Sequence, residues 1–200
     1  TEELKKEIAE KLPGVPESIS GFFMKRRVYF MGRWIRHGGY YPTWLLRLFR
    51  KGKARSEYRE VDEHIIILEG KSAKLKNDFV DDNQKPLENW IAKHNNYSTR
   101  ETRERMSINS KFPPRKTEQD SPSQERGVPV TSHRSPVTGS PKRWIKDNLY
   151  SKAPLFFRSF CYFIYRYVFR LGFLDGREGL IFHFLQGYWH QFLVDAKIYE

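Results

Sequence analysis

Cysteine is almost missing: Cys161 stands alone in 200 residues. An internal disulfide is therefore excluded, a reducing compartment is indicated, and no zinc-type Cys/His spacing exists. The first ten residues are charged and contain no apolar core of the kind a signal peptide needs. No initiating Met precedes them, as expected of a chain that begins inside a longer one. No internal repeat is found. Acidic residues are in deficit, with 24 Asp+Glu against 36 Lys+Arg, a net charge of +12 and a pI near 9.7. Such a surface attracts anions, whether nucleic acid, acidic lipid or phosphorylated ligands.

Aromatic residues are abundant instead. The 15 Phe, 11 Tyr and 5 Trp exceed what one small core needs, so some are expected at an interface. The length suits one ordinary domain, or a small domain carrying an appendage. Leu4, Ile8 and Leu12 recur at helical spacing among Glu and Lys until Pro13-Gly14 stops the helix. From Ile19 to Ile67 the pattern becomes short aromatic and β-branched runs between Gly and Pro: Phe22-Phe23, Val28-Tyr29-Phe30, Trp44 to Phe49 and Ile65-Ile66-Ile67. These predict strands. A further strand is expected over 73–80, then a helix over 86–106 with Leu87, Trp90, Ile91 and His94 on one face. The predicted fold class is α+β, with a first domain over 1–108. Residues 109–141, rich in Ser, Pro, Thr and charge, cannot bury enough apolar surface to offset their ordering entropy and are expected to be a disordered linker. A tail over 142–200 follows, with a short helix over 144–150 and a helical hairpin whose arms, 154–171 and 177–199, are divided by Gly172 and Asp175-Gly176.

The first arm is apolar enough to suggest a transmembrane helix until its arginines are placed. Arg158, Arg166 and Arg170 fall on one helical stripe, while Phe156, Phe157, Phe160, Phe163, Ile164, Tyr167 and Val168 cover the rest. A spanning helix would bury that stripe at roughly 2.5 to 3.5 kcal/mol per Arg near the bilayer centre. A helix lying in the interface leaves each Arg among lipid phosphates, where it contributes about 1 kcal/mol. The second arm repeats the design, with Ile181, Phe184, Leu185, Tyr188, Trp189, Phe192 and Leu193 apolar and His183, Gln186 and His190 on the other side. The expectation is an amphipathic hairpin on an anionic membrane surface, bound through Arg158, Arg166, Arg170, Phe160, Phe163 and Trp189. The competing account packs both faces on the first domain.

A resemblance adds to this. The run Gly32-Arg33-Trp34-Ile35-Arg36-His37-Gly38-Gly39-Tyr40-Tyr41-Pro42, followed by Trp44-Leu45-Leu46-Arg47-Leu48-Phe49-Arg50, resembles bacterial family 2 glycosyltransferases of the lipopolysaccharide and exopolysaccharide type. Val61-Asp62-Glu63-His64, Lys93-His94-Asn95 with Tyr97-Ser98, and the stretch from Arg166 to Gly187 follow in the family's order. The likeness spans nearly the whole chain apart from the linker. It implies a nucleotide-sugar-dependent hexosyltransferase on a GT-A scaffold. Thr1-Glu2-Glu3-Leu4 resembles the helix that follows the family's acidic metal motif, so the donor-binding half would lie outside this chain and the chain alone would be inactive. The implied cofactor is a divalent metal, Mg²⁺ or Mn²⁺, with its principal ligands outside the chain. The implied partners are a nucleotide-sugar donor, a glycan or lipid-linked acceptor and the cytoplasmic face of the plasma membrane.

Within that resemblance Glu63 is favoured as the base that takes the acceptor hydroxyl's proton, with Asp62 second. A solvated acidic pair at a strand end is the alternative. His64 suits a metal or a diphosphate as well as a structural role. Arg47 and Arg50 are placed to pair with diphosphate oxygens, or with Glu57 or Glu60. Trp34, His37, Tyr40, Tyr41 and Trp44, around a Gly-Gly loop, make either a stacking platform for a sugar acceptor or aromatic core. Lys93, His94, Asn95 and Tyr97 receive no catalytic role. A nucleic-acid-binding module using Lys25-Arg26-Arg27 and Arg50-Lys51 is the less favoured alternative, since no nucleic-acid signature accompanies those runs. A non-catalytic membrane-binding module is the third.

Overall fold

The computed structural model describes residues 1–56, 64–109 and 154–200. Asp62 and Glu63, the linker beyond Asn109 and the short helix over 144–150 lie outside the described residues. What is described is α+β, as the alternating patterns predict.

Helix α1 (Glu2–Lys11) starts where the Thr1 hydroxyl accepts the Leu4 N–H at 3.2 Å. Glu2 and Glu3 in its first turn and Lys11 in its last complement the helix dipole. The centre of the sheet is β1 (Ile19–Phe30), a single 12-residue strand. The sequence pattern divides it into two short runs because Lys25-Arg26-Arg27 interrupts the apolar alternation. The strand continues through the basic residues because neighbours on both sides pair with it. On one side β2 (Arg33–Trp34) and β3 (Thr43–Phe49) lie antiparallel, and on the other β6 (Lys71–Asp82) lies parallel. Met31 and Gly32 link β1 to β2 with φ of 50° and 77°, as a tight hairpin turn of the right twist requires. A separate antiparallel pair, β4 (Ala54–Ser56) and β5 (Ile65–Ile67), sets Ala54 opposite Ile67.

The parallel pairing contains an irregularity that α1 repairs. Phe23 pairs with Lys74 but Lys25 with Asp78, so three residues of β6 lie between successive partners. Their backbone donors turn to the buried Glu7, whose carboxylate accepts the N–H groups of Lys76 and Asn77, each at 2.9 Å, and the Lys11 ammonium at 2.7 Å. Burial opposes ionisation of Glu7, yet these donors outweigh it and hold its pKa at about 2. The same packing buries Leu4, Phe22, Met24 and Leu75 between α1 and the sheet.

A second core joins the sheet to the helices. Phe30 and Ile35 meet Trp90 of α2 (Leu87–Asn109) and Phe182 of α4 (Gly176–His183), with Phe30–Phe182 ring centroids 5.3 Å apart. The described part of the tail thus shares a core with the first hundred residues. Its first arm is α3 (Phe157–Ile164), continued by a π-helical stretch, Tyr165–Phe169; its second is α4, a π-helical stretch Phe184–Trp189, and α5 (His190–Tyr199). On α2 the buried line runs through Trp90, Ser98 and Thr102, while Leu87 and Ile91, expected on that face, are its exposed margins. Lys197 of α5 donates to the Asn95 carbonyl and to the Ser98 and Thr99 hydroxyls, so α5 is tied along α2.

The hairpin is amphipathic, but its polar face points inward. Arg158 and Arg166, expected among lipid phosphates, face protein. Arg158 pairs with Asp195, a residue with no exposed surface, which also accepts the Phe156 N–H at 2.9 Å and the Ser159 hydroxyl at 3.2 Å. Arg166 is buried against the Gly38–Tyr40 loop. His183 and His190 are buried as well, the latter 3.0 Å from Glu101 of α2. Trp189, expected at the lipid surface, packs against the second core. Charges inside require partners, and these side chains find them in Asp195 of the opposite arm, in Glu101 of α2 and in the Gly38 carbonyl and Tyr40 hydroxyl. The apolar residues are consequently turned out: Phe169 is 73% exposed, Phe157 60% and Phe160 50%.

Two outcomes follow from these buried charges. Asp195→Ala removes the buried carboxylate shared by Arg158, the Phe156 N–H and the Ser159 hydroxyl, and should cost about 3–5 kcal/mol, read as a lower denaturant midpoint. Acid should also lower the protein's stability in two stages. Burial, with Arg166 adding to it, pushes the His183 pKa from 6.5 down to about 4, so its contribution is complete above pH 6.5 and lost as pH falls towards 4. Glu7 and Glu101, each held at about 2 against 4.5, contribute above pH 4.5 and lose this as pH falls towards 2. A His183→Leu variant should flatten the dependence of Tm on pH between 6.5 and 5 and leave the lower stage in place.

Candidate functional site: an aromatic platform and the clasp behind it

Strand pairing collects three of the five expected platform residues and surrounds them with cations. Trp34 and Tyr41 pack edge to face with centroids 5.2 Å apart, and Trp44, second residue of β3, lies opposite Lys25 of β1. Arg27 and Arg36 lie 4.4 and 4.6 Å from the Trp34 ring, Lys74 4.7 Å from Trp44, and Lys25 5.9 Å from both Tyr41 and Trp44. Beneath them Asp78, only 5% exposed, accepts the Tyr41 hydroxyl at 2.9 Å and pairs with Lys25 and Arg27, each at 3.1 Å. Burial resists its ionisation, but Tyr41, Lys25 and Arg27 more than offset that and lower its pKa. The platform is therefore anchored on a charged carboxylate and carries an excess of positive charge.

His37 and Tyr40 belong to a different arrangement. Both oxygens of the buried Asp175 serve His37, one accepting its backbone N–H at 2.9 Å and the other lying 2.6 Å from Nδ1. The Gly38 N–H donates to the Arg170 carbonyl at 2.9 Å, and Arg166 donates to the Gly38 carbonyl at 2.9 Å and to the Tyr40 hydroxyl at 3.1 Å. Gly38 has a φ of 67°, and a Cβ there would sit 2.0 Å from the His183 ring. Only glycine admits this approach. The Gly-Gly loop is thus a clasp that fastens the hairpin to the platform.

The remaining expected residues do not join either group. Arg50 donates to the backbone carbonyls of Ile19, Val15 and Pro16, so its guanidinium closes the α1–β1 connection instead of facing a diphosphate. Arg47 is exposed where the register of β3 against β1 passes from Leu48 to Leu46. His64 is exposed just before β5. Among the described residues no group of three or more His, Cys, Asp or Glu could hold a metal ion, and no helix is long and apolar enough to cross a membrane. Sequence reasoning missed Lys25, Arg27, Arg36, Lys74 and Asp78 as part of the platform. The period-2 spacing of Lys25 and Arg27 was the available signal, because in one strand it puts both side chains on one face. Asp175 had no such signal, since its partners are 138 residues away in sequence.

Asp175→Asn should loosen the clasp locally. The His37 amide would exchange roughly 10- to 100-fold faster, as expected for loss of a charge-assisted hydrogen bond of about 1.5–3 kcal/mol, while amides of α1 keep their protection in a hydrogen-exchange measurement. No protein-family model, no curated protein and no solved structure matches this chain.

Proposed function

We propose that this chain is the acceptor-side portion of a family 2 glycosyltransferase with a GT-A scaffold, acting peripherally at the cytoplasmic face of the bacterial plasma membrane on a glycan or lipid-linked acceptor. The observation that carries the proposal is a physical connection. One loop joins an aromatic–cationic platform of the kind that suits a sugar to a hairpin whose large aromatics face outward. Phe169, Leu171, Phe173 and Leu174 project at the hairpin's tip beside the exposed Arg170 and Arg177. An apolar tip rimmed by arginines fits the boundary between acyl chains and lipid phosphates.

In the proposed reaction a carboxylate takes the acceptor hydroxyl's proton as its oxygen attacks the anomeric carbon of the donor. The bond from that carbon to the nucleoside diphosphate breaks and the diphosphate leaves with the electron pair. Glu63, with Asp62 second, is the proposed base. Arg47 offers a guanidinium to the leaving group, a role for which Arg50 is no longer suited. His64 alone gives a cation one ligand, so the described residues do not fit a metal. The Mg²⁺ or Mn²⁺ that the resemblance implies would be held by residues outside this chain.

Two measurements test this. Transfer from a panel of nucleotide sugars should be seen with a longer form carrying the donor-binding half and be abolished there by Glu63→Gln; a longer form inactive with every donor would sink the transferase proposal. For the membrane, deleting the tail is uninformative because Phe182 belongs to the core. Phe169→Ser with Phe173→Ser leaves the core intact and should weaken co-sedimentation with anionic liposomes about tenfold or more, since burying one Phe side chain is worth about 1.5–3 kcal/mol. Unchanged lipid binding would sink the tip as the membrane surface, and steeply salt-dependent binding to oligonucleotides without lipid binding would turn the assignment towards nucleic acid.

A further inference from the structure

We infer that the recess beyond the carboxyl ends of β1 and β6 is a saccharide subsite that takes one uncharged sugar residue of the acceptor glycan, with Asn83 and Gln84 reading its hydroxyls. This deepens the transferase proposal and rests on it for the identity of the acceptor. The two strands are parallel neighbours with Tyr29 opposite Asp82, so Phe30 and Asn83 leave the sheet side by side. They then part: β1 turns back through Met31-Gly32 into β2, while residues 83–86 carry the chain into α2. A crevice opens where parallel neighbours diverge past their carboxyl ends, and here it is a cavity of about 430 Å³, within the size range of small-molecule sites. It is separate from the platform, because Trp34 pairs with Tyr29 and alternation along β1 puts Phe30 on the opposite face.

Each part of the lining matches one part of a sugar ring. Phe30 and Trp90 are its buried part, and the exposed Met31 and Leu87 add apolar surface for C–H groups. Asp82, Asn83, Gln84 and Lys85 line the same cavity, are exposed, and make no side-chain hydrogen bond or ion pair among the described residues. An amide side chain both donates and accepts, as a sugar hydroxyl does. Charge decides between ligand classes. Asp82 and Lys85 are the only charged residues among those lining the cavity and cancel by formal count, although the chain as a whole carries +12. A nucleotide or an anionic sugar needs cations in excess, and an acyl chain would desolvate the polar side chains without giving them partners. A neutral sugar meets both conditions. Met31 adds an independent observation, since it is held at a φ of 50°, in the left-handed region that long side chains avoid. Glycine would be relaxed there, so the strained residue gives the cavity what glycine cannot, an apolar side chain.

The test follows the backbone amides of Asn83, Gln84 and Lys85 and the Trp90 indole N–H in the protein by NMR. Glucose, galactose, N-acetylglucosamine, glucuronate and uridine monophosphate are each titrated. At least one of the three neutral sugars should shift all four signals saturably at millimolar concentration, and bind more tightly than glucuronate or uridine monophosphate. Asn83→Ala and Gln84→Ala, both in an exposed loop, should each weaken that binding roughly three- to tenfold, the loss of one hydrogen bond. Met31→Gly should weaken it about threefold or more through lost apolar contact, while Tm is kept because relief of the strained φ offsets the added freedom of the unfolded chain. An unchanged Trp189 indole signal would show that the variants remain folded. The inference is overturned if no neutral sugar moves these signals, if glucuronate or uridine monophosphate binds more tightly at the same amides, or if Met31→Gly or the double variant of Asn83→Ala with Gln84→Ala retains full affinity. Sugar binding here without transfer by the longer form keeps the site and removes the transferase; transfer by the longer form with an acceptor affinity that Asn83→Ala and Gln84→Ala leave unchanged does the reverse.

Discussion

Two buried aspartates hold the molecule together, and the rest of its architecture follows from how they are satisfied. Asp175 and Asp195 are almost entirely removed from solvent, and each closes one end of the hairpin. Asp195 gathers the start of α3 through Phe156, Arg158 and Ser159, and Asp175 gathers the Gly-Gly loop through His37. A buried carboxylate is costly unless nearly all its lone pairs are used, so Asp195 fixes the two arms against each other and Asp175 fixes the hairpin against the loop that follows β2. The neutral His183, pressed against Gly38, belongs to the same arrangement.

Turning charge inward has a compositional consequence. The hairpin's arms contain too many large apolar residues to bury once Arg158, Arg166, His183, His190 and the aspartates occupy the interior. Phe157, Phe160, Phe169, Phe173 and Phe184 are left on the outside, where water is a poor partner. The amphipathic pattern of the arms is compatible with either orientation, because periodicity states that two faces differ without stating which one faces the protein. Orientation is decided by the partners of the polar face: Asp195, Glu101 and the Gly38 carbonyl all lie on elements distant in sequence.

The same distinction separates what was legible in the sequence from what was not. Helix α1 with its Pro-Gly stop, the strand at Ile65–Ile67, most of β3, the long helix α2 and the two-armed hairpin rest on local signals, and each lies close to where those signals put it. The unity of β1 was not legible, because Lys25 and Arg27 look like an interruption until Asp78 is seen to pair with them. The platform was half legible. Trp34, Tyr41 and Trp44 do assemble, but His37 and Tyr40, next to them in sequence, serve the clasp, since a loop with two glycines at positive φ redirects successive side chains. Arg50, read as a phosphate ligand, is committed to carbonyls that only the folded α1–β1 connection brings to it.

The clasp gives the proposed membrane surface a mechanical relation to the proposed sugar platform. Arg166 reaches the Gly38 carbonyl from the same arm that ends in Phe169, and the Arg170 carbonyl accepts the Gly38 N–H directly beside that exposed ring. A lipid surface meeting the hairpin tip would thus be separated from Trp34 and Tyr41 by a few residues of hydrogen-bonded loop and no flexible linker. For an acceptor anchored in lipid, this confines enzyme and substrate to one surface and limits the orientations in which they meet.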